Sequence, residues 1–197
     1  MCPPVGSTME TALPLELYPA TVVRAALFDN VKNGAAVRDA VVGRELECEA
    51  AIVDADLVLS TTVLRAACTN AARRADNAAC SRPAVARQND TQRSKSASGD
   101  LVYALSPSSS VGESLRILGV ADGAARLLVV AFEPDAAVFA SVLARIDGDR
   151  VPLAALDAGG DVKRRKVADA FRFAGRAAEP DALERAVLTR LATKDLK

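Results

Sequence analysis

The sequence predicts an α/β fold, with α+β as its neighbour: a single domain on a mixed β-sheet of about five strands covered by helices. Three observations predict it. Apolar runs of strand length alternate with stretches of helical periodicity. Two of those runs, Val22–Phe28 and Leu127–Phe132, are almost unbroken, as in strands covered on both faces. With 197 residues, half of them hydrophobic and a quarter charged, the chain can bury one core, and nothing in it marks a domain boundary.

Taken in order, residues 1–13 read as a disordered tail preceding a domain over 14–197. MCPPVGSTMETALP lacks the basic-then-apolar layout of a secretory leader. Leu15-Glu16-Leu17-Tyr18 is a short apolar segment ending at Pro19, and a strand follows over Val22–Phe28. Asn33 suits the N-cap of a helix over 34–43, with Val37, Ala40 and Val41 on one face. Ala50–Val53 and Leu57–Leu59 are short apolar pieces separated by Asp54 and Asp56. Ser60 can cap a helix from Thr61 to about Arg74.

Between about residues 76 and 99 the chain holds no large aliphatic or aromatic side chain except Val85, which predicts a long mobile basic loop. Leu101–Leu105 reads as another apolar strand, turned by Ser106-Pro107-Ser108-Ser109. Ser110 and Glu113 have the spacing of a capping box, opening a helix to Leu118 and worth about 1 kcal/mol. Leu127–Phe132 is the expected central strand. Asp135 starts a helix carrying Phe139, Val142, Leu143 and Ile146, and further helices begin at Asp161 and Pro180.

Composition removes several chemistries. There is no His, so no triad, Cys-His pair or His-ligated metal can be built from this chain. The cysteines, Cys2, Cys48, Cys68 and Cys80, form no CxxC and read as reduced thiols. No phosphate-binding glycine motif occurs and no apolar run reaches membrane-spanning length. The carboxylate pairs Asp54/Asp56 and Asp147/Asp149 fall in turns, where solvent keeps them ordinary. The SPSSS turn feeding a helix start could hold an anion, although plain capping explains it as well. These features favour a binding protein without a cofactor or metal.

Charge is segregated despite a formal net of zero. Net charges run −5 over residues 1–64, +5 over 65–99, −4 over 100–160 and +4 over 161–197. Either the basic segments converge on a face for a polyanion, or they pair with the acidic ones. The 19 Arg against 6 Lys, beside 40 Ala, fit a genomic composition bias and are not by themselves a nucleic-acid signal.

An ordered set of strings carries a resemblance: Leu15-Glu16-Leu17-Tyr18-Pro19, then Phe28-Asp29-Asn30-Val31-Lys32-Asn33, then Leu105-Ser106-Pro107, then Leu115-Arg116-Ile117-Leu118-Gly119 and a closing Lys194-Asp195. In this order the sequence resembles the PRPK-binding protein (TPRKB) family, the small kinase-binding subunit of the KEOPS/EKC complex. The resemblance implies a non-catalytic subunit that binds the PRPK-like kinase subunit. Through that kinase it would join the other KEOPS subunits, help bind tRNA for threonylcarbamoyl-adenosine modification, and work in cytoplasm and nucleus. Together with the basic segments it nominates Arg65, Arg73, Arg74, Arg93 and Lys95 for tRNA, with Lys163, Arg164 and Arg165 second. Val63, Ala67, Val111 and Leu115 are the expected kinase contacts. The alternatives are a stand-alone RNA-binding module and a small anion- or nucleotide-using enzyme centred on SPSSS.

Overall fold

The computed structural model describes residues 11–80, 96–121, 123–173 and 179–194. Strands β1 (Thr11–Ala12), β2 (Val23–Asp29), β3 (Ala50–Asp54), β4 (Leu127–Phe132) and β5 (Asp149–Val151) form one sheet. Helices α1 (Gly34–Val42), α2 (Thr61–Cys80), α3 (Ala97–Leu105), α4 (Val111–Leu118), α5 (Ala136–Ala144), α6 (Asp161–Ala170) and α7 (Pro180–Thr193) cover it. The expected five-stranded, helix-covered sheet is therefore present, with one difference. Every described ladder is antiparallel, so the sheet is not mixed in its pairings.

LLVVAF is central because it is apolar on both faces. β4 lies between β2 and β3, pairing Leu27 with Leu128 and Ile52 with Val129. β2 and β3 therefore run parallel to each other with β4 inserted between them, a split βαβ unit joined by α1. The outer edge of β2 is covered twice: β1 pairs with Arg24 and Ala25, and β5 with Leu27, Phe28 and Asp29.

Alternate residues of the three long strands feed two cores. Ala25, Leu27, Val53, Leu128 and Val130 pack beneath α2, α3, α6 and α7. Ala26, Phe28, Ile52, Leu127 and Val129 pack beneath α1 and α5. Asn33 ties the start of α1 to the end of α5. Its Nδ2 donates to the Arg145 carbonyl (2.7 Å), and its Oδ1 accepts from the Asp147 amide (3.0 Å). It occupies the N-cap position of α1 without capping it.

Four expectations change. The ordered body begins by Thr11, and Leu13 is buried, so residues 11–13 are not tail. Leu101–Leu105 is helix, not strand: α3 is buried from Ser98 onward, and a helix covered on all sides is as continuously apolar as an inner strand. Its cap is Ser96, whose Oγ accepts from the Gly99 amide (3.0 Å). Both ends of the interval expected as a loop over 76–99 are helical, because α2 continues to Cys80 and α3 starts at Ala97; residues 81–95 lie outside the described residues. The Ser110–Glu113 capping box does not form. Glu113 instead accepts from Ser108 Oγ, whose oxygen accepts from the Ser110 amide (3.1 Å).

Candidate docking and nucleic-acid surfaces

The basic residues nominated by sequence divide into exposed and internal groups. Arg65 and Arg73 are exposed on α2, eight residues apart and hence on one side of the helix. Arg74 turns inward. Its guanidinium lies 3.7 Å from the buried Asp100 carboxylate and 4.3 Å from the Tyr103 ring centroid, so it is a structural cation. Arg93 and Lys95 lie outside the described residues.

The Lys163–Lys166 run is mostly neutralised inside the molecule. Lys163 is 4% exposed, and its ammonium donates to the Leu156 carbonyl, so it cannot meet tRNA as expected. Burial, reinforced by the Arg126 charge, lowers its pKa to about 8. Arg164 bonds Asp161 and the Gly159 carbonyl. Lys166 donates to Asp56 Oδ2 (2.6 Å), a hydrogen bond that raises its pKa. Asp56 Oδ1 lies 3.5 Å from Arg126 Nη1, and Arg126 Nε lies 3.8 Å from Asp29 Oδ2. The result is an ionic lock where β2 and β3 end and β4 begins, holding α6 over the sheet. Burial raises the neighbouring Asp54 carboxyl. Asp54 and Asp56 are thus embedded rather than fully solvated. Arg165 stays exposed with no partner among the described residues.

The apolar nominees divide in the same way. Val63 and Ala67 face the sheet and are 2% and 0% exposed, so they are core residues and cannot form a docking face. The 3.6-residue period identified the apolar stripe of α2, but such a stripe packs on the molecule's own sheet first. On α4, Val111 is half-buried and Leu115 is 50% exposed, while Leu118 is buried. Leu115 is therefore the apolar contact that this helix presents. Cys68 is a free buried thiol whose pKa burial pushes up to about 12, making it an inert filler. The SPSSS turn does not offer an anion site, because its Ser108 hydroxyl donates to the Glu113 carboxylate (2.5 Å) and an incoming anion would face that charge.

One feature escaped the sequence reading: an open groove of about 620 Å³ along α7, closed at one end by Arg172 and Phe173. Arg172 has φ 57°, in the left-handed region, at the end of α6. The Phe173 amide bonds the Ala168 carbonyl (2.8 Å) and the Arg172 amide that of Asp169 (3.1 Å), a Schellman arrangement. This turn stacks Phe173 on Phe171, with centroids 5.8 Å apart, and places it at the groove. The available signal was the spacing of Arg185 and Arg190, off the stripe of Leu183, Val187 and Leu191 that packs inward.

α7 itself is firmly held. Ser60 Oγ, at the start of α2, donates to Glu184 near the start of α7. At the other end Lys194 Nζ donates to the carbonyls of Tyr103 and Ser106 and lies 3.5 Å from the Tyr103 ring centroid, near Arg74. The two helices therefore run side by side in the same direction.

Among the described residues no three His, Cys, Asp or Glu side chains gather as a metal site, and no helix is long and apolar enough to cross a membrane. What the surface presents is helix faces: exposed arginines on α2, an apolar edge on α4, a basic groove on α7. The class this defines is an α/β domain whose antiparallel sheet lies behind helices that present their outer faces. Comparison of the sequence with known families makes the assignment particular: the chain belongs to the family described as kinase binding protein CGI-121, whose model matches residues 28–195. A curated relative from Aspergillus terreus (strain NIH 2624 / FGSC A1156) is the EKC/KEOPS complex subunit cgi121. It is 27% identical over 181 residues, covering 89% of this chain and 86% of the relative. The resemblance read from the Phe28–Asn33 and Leu105–Pro107 strings thus corresponds to family membership.

Proposed function

We propose that this chain is a non-catalytic subunit of a KEOPS-type complex that binds the complex's kinase and helps hold tRNA for threonylcarbamoyl-adenosine modification by its partners. The observation that carries this reading is the match to a kinase-binding family over residues 28–195. The exposed Leu115 edge of α4 supplies the apolar anchor a specific interface needs. The arginines of α2, Arg65 and Arg73, supply the charge for tRNA phosphates. The working compartments on this reading are cytoplasm and nucleus.

The test is co-expression with the kinase of the same organism, followed by gel filtration. A 1:1 complex is expected, and Leu115→Glu should weaken it at least ten-fold. Two separate peaks at micromolar concentration would overturn the reading. For tRNA, Arg65→Glu combined with Arg73→Glu should lower affinity and flatten its salt dependence; unchanged affinity at low salt would remove α2 from the account.

A further inference from the structure

The groove face of α7, with Ala186 buried at its floor, has a pattern that neither kinase docking through α4 nor tRNA binding through α2 uses. Ala182, Ala186, Thr189 and Thr193 succeed one another at spacings of four, three and four residues. That is the a/d seam of a heptad, about 16 Å long on a helix rising 1.5 Å per residue. Arg185 and Arg190 then fall on the two flanks of the seam, at the positions where paired helices exchange charge. All six residues line the groove, and no acidic side chain lines it among the described residues.

We propose that this groove is the docking site for an acidic amphipathic helix of a partner protein. Small seam residues let a second helix approach closely, and larger aliphatic side chains from the partner would fill the space. The partner's flanking Asp or Glu side chains would meet Arg185 and Arg190, with Arg172 at the groove's end adding a third cation. Two features argue against other occupants. The seam itself offers nucleic acid nothing beyond its flanking arginines, because both threonine hydroxyls donate back into α7. Thr189 Oγ1 donates to the Arg185 carbonyl (2.7 Å) and Thr193 Oγ1 to the Thr189 carbonyl (2.8 Å), so neither hydroxyl is left as a donor for phosphate. A second copy of α7 is unsuited as well, since self-pairing would set arginine against arginine.

The test uses the full chain and three fluorescent probes. Two are helical peptides of about eighteen residues, enough to span the ~16 Å seam, with Leu at the seam positions and either Glu or Lys at the flanks. The third is an oligouridylate. Anisotropy titrations at low salt should show the Glu peptide binding at least ten-fold tighter than the Lys peptide. Arg185→Glu with Arg190→Glu should invert that preference, with circular dichroism checking the fold. Should this double variant not fold, Thr189→Trp, at an exposed position, fills the seam without changing charge and should cost the Glu peptide at least ten-fold. Equal binding of the two peptides, or no binding of either, would overturn the proposal. So would oligouridylate binding that the double variant abolishes while the Glu peptide does not bind.

Discussion

Lys163 has a measurable signature. Its folded pKa of about 8 lies below the ordinary 10.5, so the folded state binds this proton more weakly than the unfolded chain does. The cost of burying the charge is full below pH 8 and is relieved as pH rises toward 10.5. Relative to Lys163→Met, which has no such group, wild-type stability should rise by about 2 kcal/mol between pH 7 and pH 10. Urea unfolding of both proteins at the two pH values measures this. Taking the difference cancels Cys68, whose raised pKa acts with the opposite sign by removing stability above about pH 9. Parallel curves for the two proteins would mean that Lys163 is hydrated. Arg74 permits a second comparison. Arg74→Glu sets a like charge against the buried Asp100 and should cost about 3–5 kcal/mol, whereas Arg65→Glu on the exposed side of α2 should stay within about 0.5 kcal/mol. Equal losses in urea melts would place both arginines in the same environment.

Among the elements, α1 ends as α6 does, with a left-handed arginine: Arg44 has φ 57°, and the Glu45 amide bonds the Ala40 carbonyl (2.9 Å). A glycine adopts that conformation without Cβ crowding. Arg44→Gly should therefore gain about 0.5–1 kcal/mol and raise Tm by a few degrees; a lower Tm would assign the arginine side chain a stabilising contact. The helix read over 34–43 stops one residue before the position that bears the strain. Similar near misses mark the limits of what was legible. The inner strands β2 and β4 and helix α5 could be read directly, because a run such as LLVVAF or the Phe139–Ile146 spacing has one physical interpretation. Leu101–Leu105 has two, and the choice depends on contacts made by distant residues, Arg74 and Lys194 on Tyr103 among them. The KRRK run at the start of α6 looked like a phosphate patch because sequence gives charge but not direction. Asp56, Arg126 and the Leu156 carbonyl, which determine its direction, come from three other segments.

For the molecule as a whole, alternating blocks of charge resolve into both outcomes foreseen for them. In the block after residue 160, Lys166 pairs with Asp56 at the end of the sheet and Lys163 is buried on the Leu156 carbonyl, while α2 and α7 keep arginines in solvent. If α2 holds tRNA as proposed, that affinity should fall steeply with salt although the formal net charge of the chain is zero. The fastening of Lys194 has a practical corollary for anyone cloning or trimming this protein. The last described helix does not fray into solvent; its final residue plugs the carbonyl end of α3 from 88 and 91 residues away in sequence. A stop codon in place of Lys194, or a carboxypeptidase that trims past it, would uncork a helix in the middle of the fold.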